Sequence, residues 1–266
     1  MGEGSFGKVF KGKWNGTPVA IKKLKKTKYI NDSMVKDFHS ELQTLKSLQH
    51  PNVVQFLGAS TVAPNYCLIT ELVELGSLHD VLHEREDLVI TWKEIKKIAT
   101  GICQGLIYLH ETKKIMHRDI KSANVLIDGS FTAKIADMGL TRARVASTRG
   151  MMTAYVGTPT YMAPEMLNSA TQYTEKTDVY SFGIILCELL SREIPYGDST
   201  CSDEALEKAI IKGKRPSVPS HGSVSHLSLS SGTYKEYVSL CKECWDSDPL
   251  KRPPLKAALK RLENMK

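Results

Sequence analysis

One short polar segment contains the side chains that a group transfer to a hydroxyl requires. The segment "IMHRDIKSANVL", residues 115–126, contains Asp119, Lys121 and Asn124. A carboxylate at Asp119 can accept or orient the proton of an attacking hydroxyl. Lys121 can steady the charge of a transferring phosphoryl group, and Asn124 offers an oxygen to a metal ion. The spacing therefore predicts a loop that combines an acid–base group with a metal ligand.

A second candidate metal ligand follows in "ADMGL", residues 136–140. Its carboxylate, Asp137, can hold Mg²⁺ together with Asn124, and a Mg²⁺ ion that bridges phosphates is the main electrostatic aid to phosphoryl transfer. Short strands are expected around Asn124–Ile127 and Lys134–Ala136, which would place the two ligands at neighbouring strand ends.

A glycine-rich stretch near the amino terminus, "GEGSFGKVF" at 2–10, has G-x-G-x-x-G spacing. In a dinucleotide-binding turn the glycines lead into a helix, whereas these lead into a strand, "KVFKGKW". Such a hairpin can fold over nucleotide phosphates with its N–H groups towards the anion, and Val9 would rest on adenine. On its own the stretch fits a hairpin without a ligand equally well. The candidate phosphate-binding residues are Gly2, Gly4, Ser5 and Gly7.

A lysine on the next strand, in "VAIKKL" at 19–24, can neutralise phosphate charge. This residue, Lys22, needs a carboxylate to hold its long side chain. Glu41 is the candidate, because it lies on the apolar face of the following predicted helix. Lys23 alternates to the opposite side of the strand.

The elements that must position these residues change in type along the chain. Strands predominate to about residue 70, with an Asn15–Gly16 hairpin turn and one helix that starts at Asp32 or Ser33, runs through Gln49 and is ended by Pro51. Helical periodicity predominates from residue 78, including a buried helix around Val179–Leu190. The Ser-, Pro- and Gly-rich segment 215–232 is predicted to be an exposed, mobile loop.

Composition excludes several classes of protein. The chain has 266 residues, a net charge of +7 and no apolar run of the roughly 18 residues that a membrane helix needs. We interpret the basic residues as solvent-exposed surface residues, because no nucleic-acid-binding motif accompanies them. We therefore expect no nucleic-acid partner. Six scattered cysteines predict reduced thiols and a cytoplasmic location. "CKEC", Cys241–Cys244, lacks a second ligand pair for zinc and is read as part of a helix that ends at Trp245.

Taken together and in this order, these segments resemble the catalytic domain of eukaryotic protein kinases. Further segments carry the resemblance, which covers essentially the whole chain: "GTPTYMAPE", "DVYSFG" and "CWDSDPLKRP". The sequence is most similar to the tyrosine-kinase-like group, which includes the Raf, mixed-lineage and receptor-interacting kinases, and more loosely to the dusty kinases. The resemblance implies an α+β, bilobal fold for 1–266, with a small antiparallel β lobe containing one helix (1–70), a hinge (71–77) and a larger, mainly helical lobe (78–266).

The resemblance also implies a binding site for ATP and Mg²⁺. Backbone groups of Glu71 and Val73 should hold the adenine, and Ser77 should approach the ribose. Thr70 would be the gatekeeper. Ala20 above and Leu126 below would complete an apolar slot.

By the same resemblance, Lys121 and Thr158 indicate transfer to Ser or Thr of protein substrates, with dual specificity as the alternative. An upstream kinase is expected to phosphorylate the segment after Asp137, and Arg118 could pair with that phosphate. Thr153 and Tyr155 are nearest the usual position. The other candidates in the segment are Thr141, Ser147 and Thr148.

Two features depart from the family pattern. Met138 stands where the family has an aromatic residue, and we expect it to pack against His117, Leu45 and Phe56 as a working variant. A pseudokinase that binds nucleotide without turnover is the alternative. The glycine-rich loop begins at residue 2, so we expect the chain to be a fragment of a longer protein.

The resemblance also implies structural roles for three residues. Asp178 is expected to orient the predicted catalytic loop, which contains Asp119 and Asn124, and Glu165 is expected to form a structural ion pair with Arg252.

Overall fold

An antiparallel β lobe and a mainly helical lobe make up the computed structural model of the chain, and the predicted α+β, bilobal architecture is confirmed. The structure describes residues 3–4, 7–24, 32–63, 65–138, 142–143, 159–168, 174–198 and 201–266. None of the helices formed by these residues is long and apolar enough to cross a membrane. The strands are β1 (Glu3–Gly4), β2 (Gly7–Trp14), β3 (Thr17–Leu24), β4 (Phe56–Ser60), β5 (Cys67–Glu71), β6 (Ile115–Met116), β7 (Val125–Ile127), β8 (Ala133–Ile135) and β9 (Arg142–Ala143). The α-helices are α1 (Asp32–Lys46), α2 (Leu78–His83), α3 (Trp92–Ile107), α4 (Pro164–Leu167), α5 (Lys176–Ser191), α6 (Asp203–Ile211), α7 (Ser231–Cys244) and α8 (Leu255–Asn264).

The small lobe is built on a five-stranded antiparallel sheet in the order β1-β2-β3-β5-β4. The predicted β2–β3 hairpin is confirmed: Asn15 and Gly16 both have positive φ, +49° and +83°, as the tight turn between twisted strands requires. Strand β3 lies in the middle of the sheet, where Lys22 is opposite Val9 on one side and Leu68 on the other.

Helix α1 presents Leu42, Leu45 and Glu41 on its buried face. The predicted helix through Gln49 was three residues too long, because α1 ends at Lys46. The next two amide groups bond three residues back rather than four, so the α-helical register is lost before the proline.

The large lobe is organised around α5, in which fourteen of the sixteen residues are buried. The buried helix predicted around Val179–Leu190 is therefore confirmed. At Gly183 an added Cβ would lie 2.8 Å from Cys244 Cβ on α7, so the glycine permits the two helices to approach closely. The "CKEC" segment is helical, as predicted: α7 ends at Cys244, one residue before the predicted end, and Trp245 is its C-cap. A helix buried on all sides also buries its polar residues, so these need partners from neighbouring elements.

The Ser-rich segment 215–232 is more buried than its composition suggests. Val224, Leu227 and Leu229 join the hydrophobic core, and the Tyr234 hydroxyl donates to Pro219 O over 2.6 Å. The prediction of an exposed loop is wrong for these three apolar residues. Sparse apolar side chains fixed the segment to the core, although the composition around them is that of a loop.

A buried ion pair joins α4 to the chain before α8. Arg252 is fully buried, and its two terminal nitrogens lie 2.6 and 2.8 Å from the Glu165 carboxylate oxygens. The guanidinium also donates to Asp246 O and Lys176 O, both at 2.8 Å. The predicted Glu165–Arg252 pair is thus confirmed, and the Arg252 side chain joins three other residues, Glu165, Lys176 and Asp246.

Replacing Arg252 by Met should lower the free energy of unfolding by about 3–5 kcal/mol, because the variant removes one partner of a buried, hydrogen-bonded ion pair. Urea denaturation measures the change. Arg85→Met is the matched control, since the Arg85–Asp87 pair is exposed and its loss should leave the free energy of unfolding nearly unchanged. Equal losses in the two variants would contradict this account.

Candidate functional site in the cleft between the lobes

Ionic contacts of Lys22 connect the two lobes. Its Nζ lies 2.8 Å from Glu41 Oε1 on α1 and 2.9 Å from Asp137 Oδ1 in the large lobe. Burial lowers the pKa of Lys22, but the carboxylates of Asp137 and Glu41 outweigh it and raise the pKa above its ordinary value. Lys23 is exposed on the other side of the strand, over the Phe10 ring. The cleft therefore contains a fixed cation between two anions.

The polar loop between β6 and β7 brings three predicted residues into direct contact. Lys121 Nζ lies 3.0 and 2.8 Å from the two carboxylate oxygens of Asp119. Asn124 Nδ2 donates to Asp119 Oδ2 and to Asp119 O, each over 2.8 Å. Since the nitrogen of the Asn124 amide makes both contacts, its Oδ1 is the atom suited to a cation.

Asp137 lies beside this loop with a φ of +59°, in the left-handed region. The preceding residue, Ala136, is fixed on both sides: its N–H donates to Asn124 O and its carbonyl is 2.9 Å from His117 Nε2. Both candidate metal ligands are therefore held by the same short network.

A buried carboxylate on α5 fixes the beginning of the polar loop between β6 and β7. Asp178 accepts hydrogen bonds from the N–H of His117 over 2.9 Å and the N–H of Arg118 over 2.8 Å, and His110 Nε2 is 2.7 Å away. Arg118 adopts a φ of +70°, which is unfavourable for a side chain with a Cβ. Burial would raise the pKa of Asp178, but its bonds to His110 and the His117 amide lower the pKa below its ordinary value. The charge thus stabilises a strained backbone turn.

A second buried carboxylate on the same helix holds the far end of the loop, and no sequence prediction included it. Glu188 accepts from Ser122 Oγ and Tyr161 OH, both over 2.8 Å, and lies 2.9 Å from His83 Nε2. Burial and the Glu188 charge raise the pKa of Tyr161 well above its ordinary value, so the phenol stays a donor. The sequence gives no signal for Glu188, because its partners lie 27 to 105 residues away.

Three of the residues predicted to surround adenine, Val9, Ala20 and Thr70, lie on adjoining strands of the small-lobe sheet. Ala20 on β3 is opposite Thr70 on β5, and Val9 on β2 is opposite Lys22. Leu126 on β7 forms a single β-bridge with Ser77, at the end of the segment that connects the lobes. Val9, Ala20, Thr70 and Leu126 are each half-buried, so part of each side chain is accessible to a ligand.

The segment after β5 connects the lobes. The Glu71 carboxylate accepts from Gln55 N over 2.7 Å and lies 3.0 Å from Lys134 Nζ. The Glu71 backbone also has protein partners, because its N–H donates to Gln55 O over 3.0 Å and its carbonyl accepts from Thr70 Oγ1 over 3.3 Å. Val73 is buried. Ser77 is the N-cap of α2, and its Oγ accepts from Asp80 N over 3.1 Å.

Some predicted residues lie outside the described part of the chain. In the glycine-rich stretch, Gly4 is paired with Gly7 between β1 and β2. The residues outside are Gly2, Ser5, Thr158 and the candidate phosphorylation sites Thr141, Ser147, Thr148, Thr153 and Tyr155.

Met138 is almost completely buried, with 1% of its surface exposed. It belongs to the hydrophobic core that also contains Leu45 and, at its edge, Phe56. The predicted contact with His117 stays a prediction. Met138 therefore fills an apolar position, while the neighbouring Asp137 keeps its ionic contact.

Residues 1–262 match the family model described as "Protein kinase domain". The chain belongs to the protein kinase family. Among curated relatives, the chain is 39% identical over its whole length to the probable serine/threonine-protein kinase drkB of Dictyostelium discoideum, where it covers 36% of that protein. It is 36% identical over 98% of its length to the serine/threonine-protein kinase STY17 of Arabidopsis thaliana, of which it covers 43%. The chain thus spans less than half the length of these relatives.

A protein kinase domain uses ATP and a divalent metal, and the chemistry of this site fits both. Asp137 and Asn124 supply a carboxylate and an amide oxygen, the donors that hard cations such as Mg²⁺ prefer. Lys22 supplies a fixed positive charge close by. The described kinase residues thus satisfy the requirement for oxygen ligands and a phosphate-neutralising group.

Replacing Asp178 by Asn should lower the free energy of unfolding by about 2–3 kcal/mol at neutral pH, because a neutral amide replaces a charged acceptor of several hydrogen bonds. The loss should shrink as the pH falls. The pKa of Asp178 is lowered in the folded state, so its stabilisation is present above the ordinary aspartate pKa of about 3.9 and disappears as the pH falls through the lower folded value.

Urea denaturation at neutral and acidic pH measures this difference. Glu86→Gln, which neutralises an exposed carboxylate, is the control and should change stability little at any pH. If the difference in unfolding free energy between the wild type and Asp178→Asn stayed constant at acidic pH, the Asp178 charge would not be its source.

Proposed function

We propose that this chain transfers the γ-phosphoryl group of Mg-ATP to serine and threonine hydroxyls of protein substrates. The observation that carries the proposal is the contact of Lys22 with both Glu41 and Asp137, at 2.8 and 2.9 Å. This ion triad joins the nucleotide side of the cleft to a candidate metal ligand. The names of the relatives, which describe serine/threonine-protein kinases, agree with it.

In the proposed site each polar residue has a separate task. Asp119 accepts or orients the proton of the substrate hydroxyl, and Lys121, which contacts its carboxylate, steadies the transferring charge. Lys22, held by Glu41, neutralises nucleotide phosphates. Asn124 and Asp137 would hold Mg²⁺, which supplies charge neutralisation at the phosphates when bound.

The nucleotide is proposed to bind between the lobes 1–70 and 78–266, against the hinge 71–77. Backbone hydrogen bonds from Leu75 N to Ile127 O and from Ile127 N to Gly76 O, 3.0 and 2.9 Å long, fix the hinge to the large lobe. The proposed phosphate, adenine and ribose contacts are made by Gly2, Gly4, Ser5, Gly7, Val9, Ala20, Thr70, Glu71, Val73, Ser77 and Leu126.

Specificity and regulation are proposed from the sequence. Lys121 in "HRDIKSAN" favours aliphatic hydroxyls, and the same segment with "HPNVVQFLGA" favours the tyrosine-kinase-like group. Phosphorylation after Asp137 by an upstream kinase would pair with Arg118. Dual specificity is the alternative. A cytoplasmic location and the lack of a nucleic-acid partner stay predictions.

The pseudokinase alternative rests on Met138. The burial of Met138 in the core weakens that alternative. With Met in place of the family's aromatic residue, Lys22 and the neighbouring Asp137 are still in ionic contact. A degenerate site would lose one of those charges, whereas an apolar position tolerates exchange between large apolar residues.

The test is phosphoryl transfer from labelled ATP with Mg²⁺ to a generic protein substrate, followed by phosphoamino-acid analysis. Asp119→Asn should lower kcat by roughly 10²–10⁴-fold, because the variant removes the group that accepts or orients the hydroxyl proton. Asp203→Asn, at the start of the distant helix α6, is the matched control and should retain activity. Label on serine or threonine that the Asp119 variant loses supports the proposal.

Two other outcomes discriminate the alternatives. Label on tyrosine as well would indicate dual specificity. Absence of label, after treatment with an activating kinase and despite thermal stabilisation by ATP, would contradict catalysis and favour the pseudokinase.

A further inference from the structure

Two histidines and a glutamate converge beside the catalytic loop. One ligand atom from each of His79, His83 and Glu188 can be chosen so that all three lie within 4.8 Å of one another. His79 and His83 are half-buried and Glu188 is fully buried. The phosphoryl-transfer site described above uses none of these side chains directly. We call them the histidine–glutamate cluster.

The two histidines have the spacing of a helical metal-binding pair. They are four residues apart on α2 and therefore share one face, as in metal sites that take two histidines from one helix turn. Their ring centroids are 4.8 Å apart. Because imidazole nitrogen suits zinc and similar transition metals, this pair supplies two of the ligands that such a site needs.

Helix α2 is held firmly enough to keep this pair in place. Ser77 and Asp80 form a reciprocal capping box at its start. Leu78, Val81 and Leu82 are buried in the core, with at most 4% of each exposed. A helix fixed in this way presents His79 and His83 from a rigid frame, which lowers the cost of organising a site.

Glu188 supplies the third donor from a different element, α5. Its side chain is 0% exposed, and among the described residues its ion pair is with His83. A buried carboxylate is costly unless a cation or a metal compensates it. Hydroxyls of Ser122 and Tyr161 orient the carboxylate without compensating its charge. The environment of Glu188 is thus one that a bound divalent cation would stabilise.

The spacing of the donor atoms is close to that of a coordination sphere. His83 Nε2 and Glu188 Oε1 are 2.9 Å apart. Two ligands at 2.0–2.1 Å from a tetrahedral metal are separated by about 3.3 Å, so the His83–Glu188 pair is within a few tenths of an ångström of that spacing. The ligand atom of His79 lies within 4.8 Å of both.

We propose that His79, His83 and Glu188 form a binding site for Zn²⁺ or a similar transition metal. Two imidazoles and one carboxylate are a known zinc donor set with a fourth position open to water. Mg²⁺, which requires oxygen ligands, does not fit this set and is left to Asn124 and Asp137. Since Ser122 Oγ bonds the same oxygen of Glu188 that faces His83, metal occupancy acts directly on the catalytic loop.

Titration of the nucleotide-free protein with Co²⁺, followed by visible absorption, tests the site directly. The wild type should bind one Co²⁺ with the spectrum of mixed nitrogen and oxygen ligands, and Zn²⁺ should displace it. His79→Ala should weaken Co²⁺ binding by more than about 10-fold. Loss of a residue that only hydrogen-bonds to a metal ligand already weakens binding by about that factor, and His79 is a proposed ligand itself. His226→Ala removes an exposed histidine elsewhere and should leave binding unchanged.

Two further variants test a second proposed ligand and separate this site from the nucleotide-metal site. His83→Gln should weaken binding in the same way, and circular dichroism confirms that each variant is folded. Asp137→Asn should retain the Co²⁺ spectrum, which separates this site from the nucleotide-metal site. Absence of Co²⁺ binding by the wild type, equal affinity in His79→Ala, or loss of binding in Asp137→Asn would each overturn the proposal. Because the readout is metal binding, its failure would leave the proposed phosphoryl transfer untouched.

Discussion

The buried carboxylate of Asp178 is the interaction on which the candidate site depends most. It lies in the first turn of α5, the helix at the centre of the large lobe, and accepts the backbone N–H groups of His117 and Arg118. Water cannot replace these bonds in the core, so they are stronger and more directional than surface contacts. Because Arg118 is held at positive φ, the charge of Asp178 offsets a backbone strain that would otherwise favour another loop conformation. The position of Asp119, one residue later, follows from this.

The same helix also holds the other end of the loop. Glu188 lies ten residues after Asp178, about 15 Å along an ideal helix, and fixes Ser122 through its hydroxyl. One rigid element thus sets both the start and the end of the segment that contains Asp119 and Lys121. Preorganisation of this kind is what electrostatic catalysis requires, because groups that are already in place need not reorganise during the reaction.

The contacts between the lobes are of a different kind. Lys22 and Asp137 keep part of their side-chain surface exposed, 21% and 31%, whereas Asp178 is almost completely buried. Ionic contacts at such exposure are weakened by water and salt. The candidate site therefore combines a fixed polar loop with a contact between the lobes that can adjust. The buried Met138 connects the site to the hydrophobic core.

The sequence alone determined the β2–β3 hairpin and the residues of the polar loop, since these depend on turn chemistry and on spacing within one segment. The fold class followed from the resemblance to protein kinases that such segments carry. The sequence also indicated that Glu41 faces Lys22, because helical periodicity assigns a residue to a face. It failed at the end of α1, where the amides after Lys46 bond three residues back and end the α-helical register. It also failed in 215–232, where distant apolar contacts outweigh local composition. Only the tertiary structure revealed that Glu188 meets Ser122, Tyr161 and His83. Spacing within one segment can be seen in the sequence. Contacts between residues far apart in sequence are decided by how α5 packs against α2 and the polar loop.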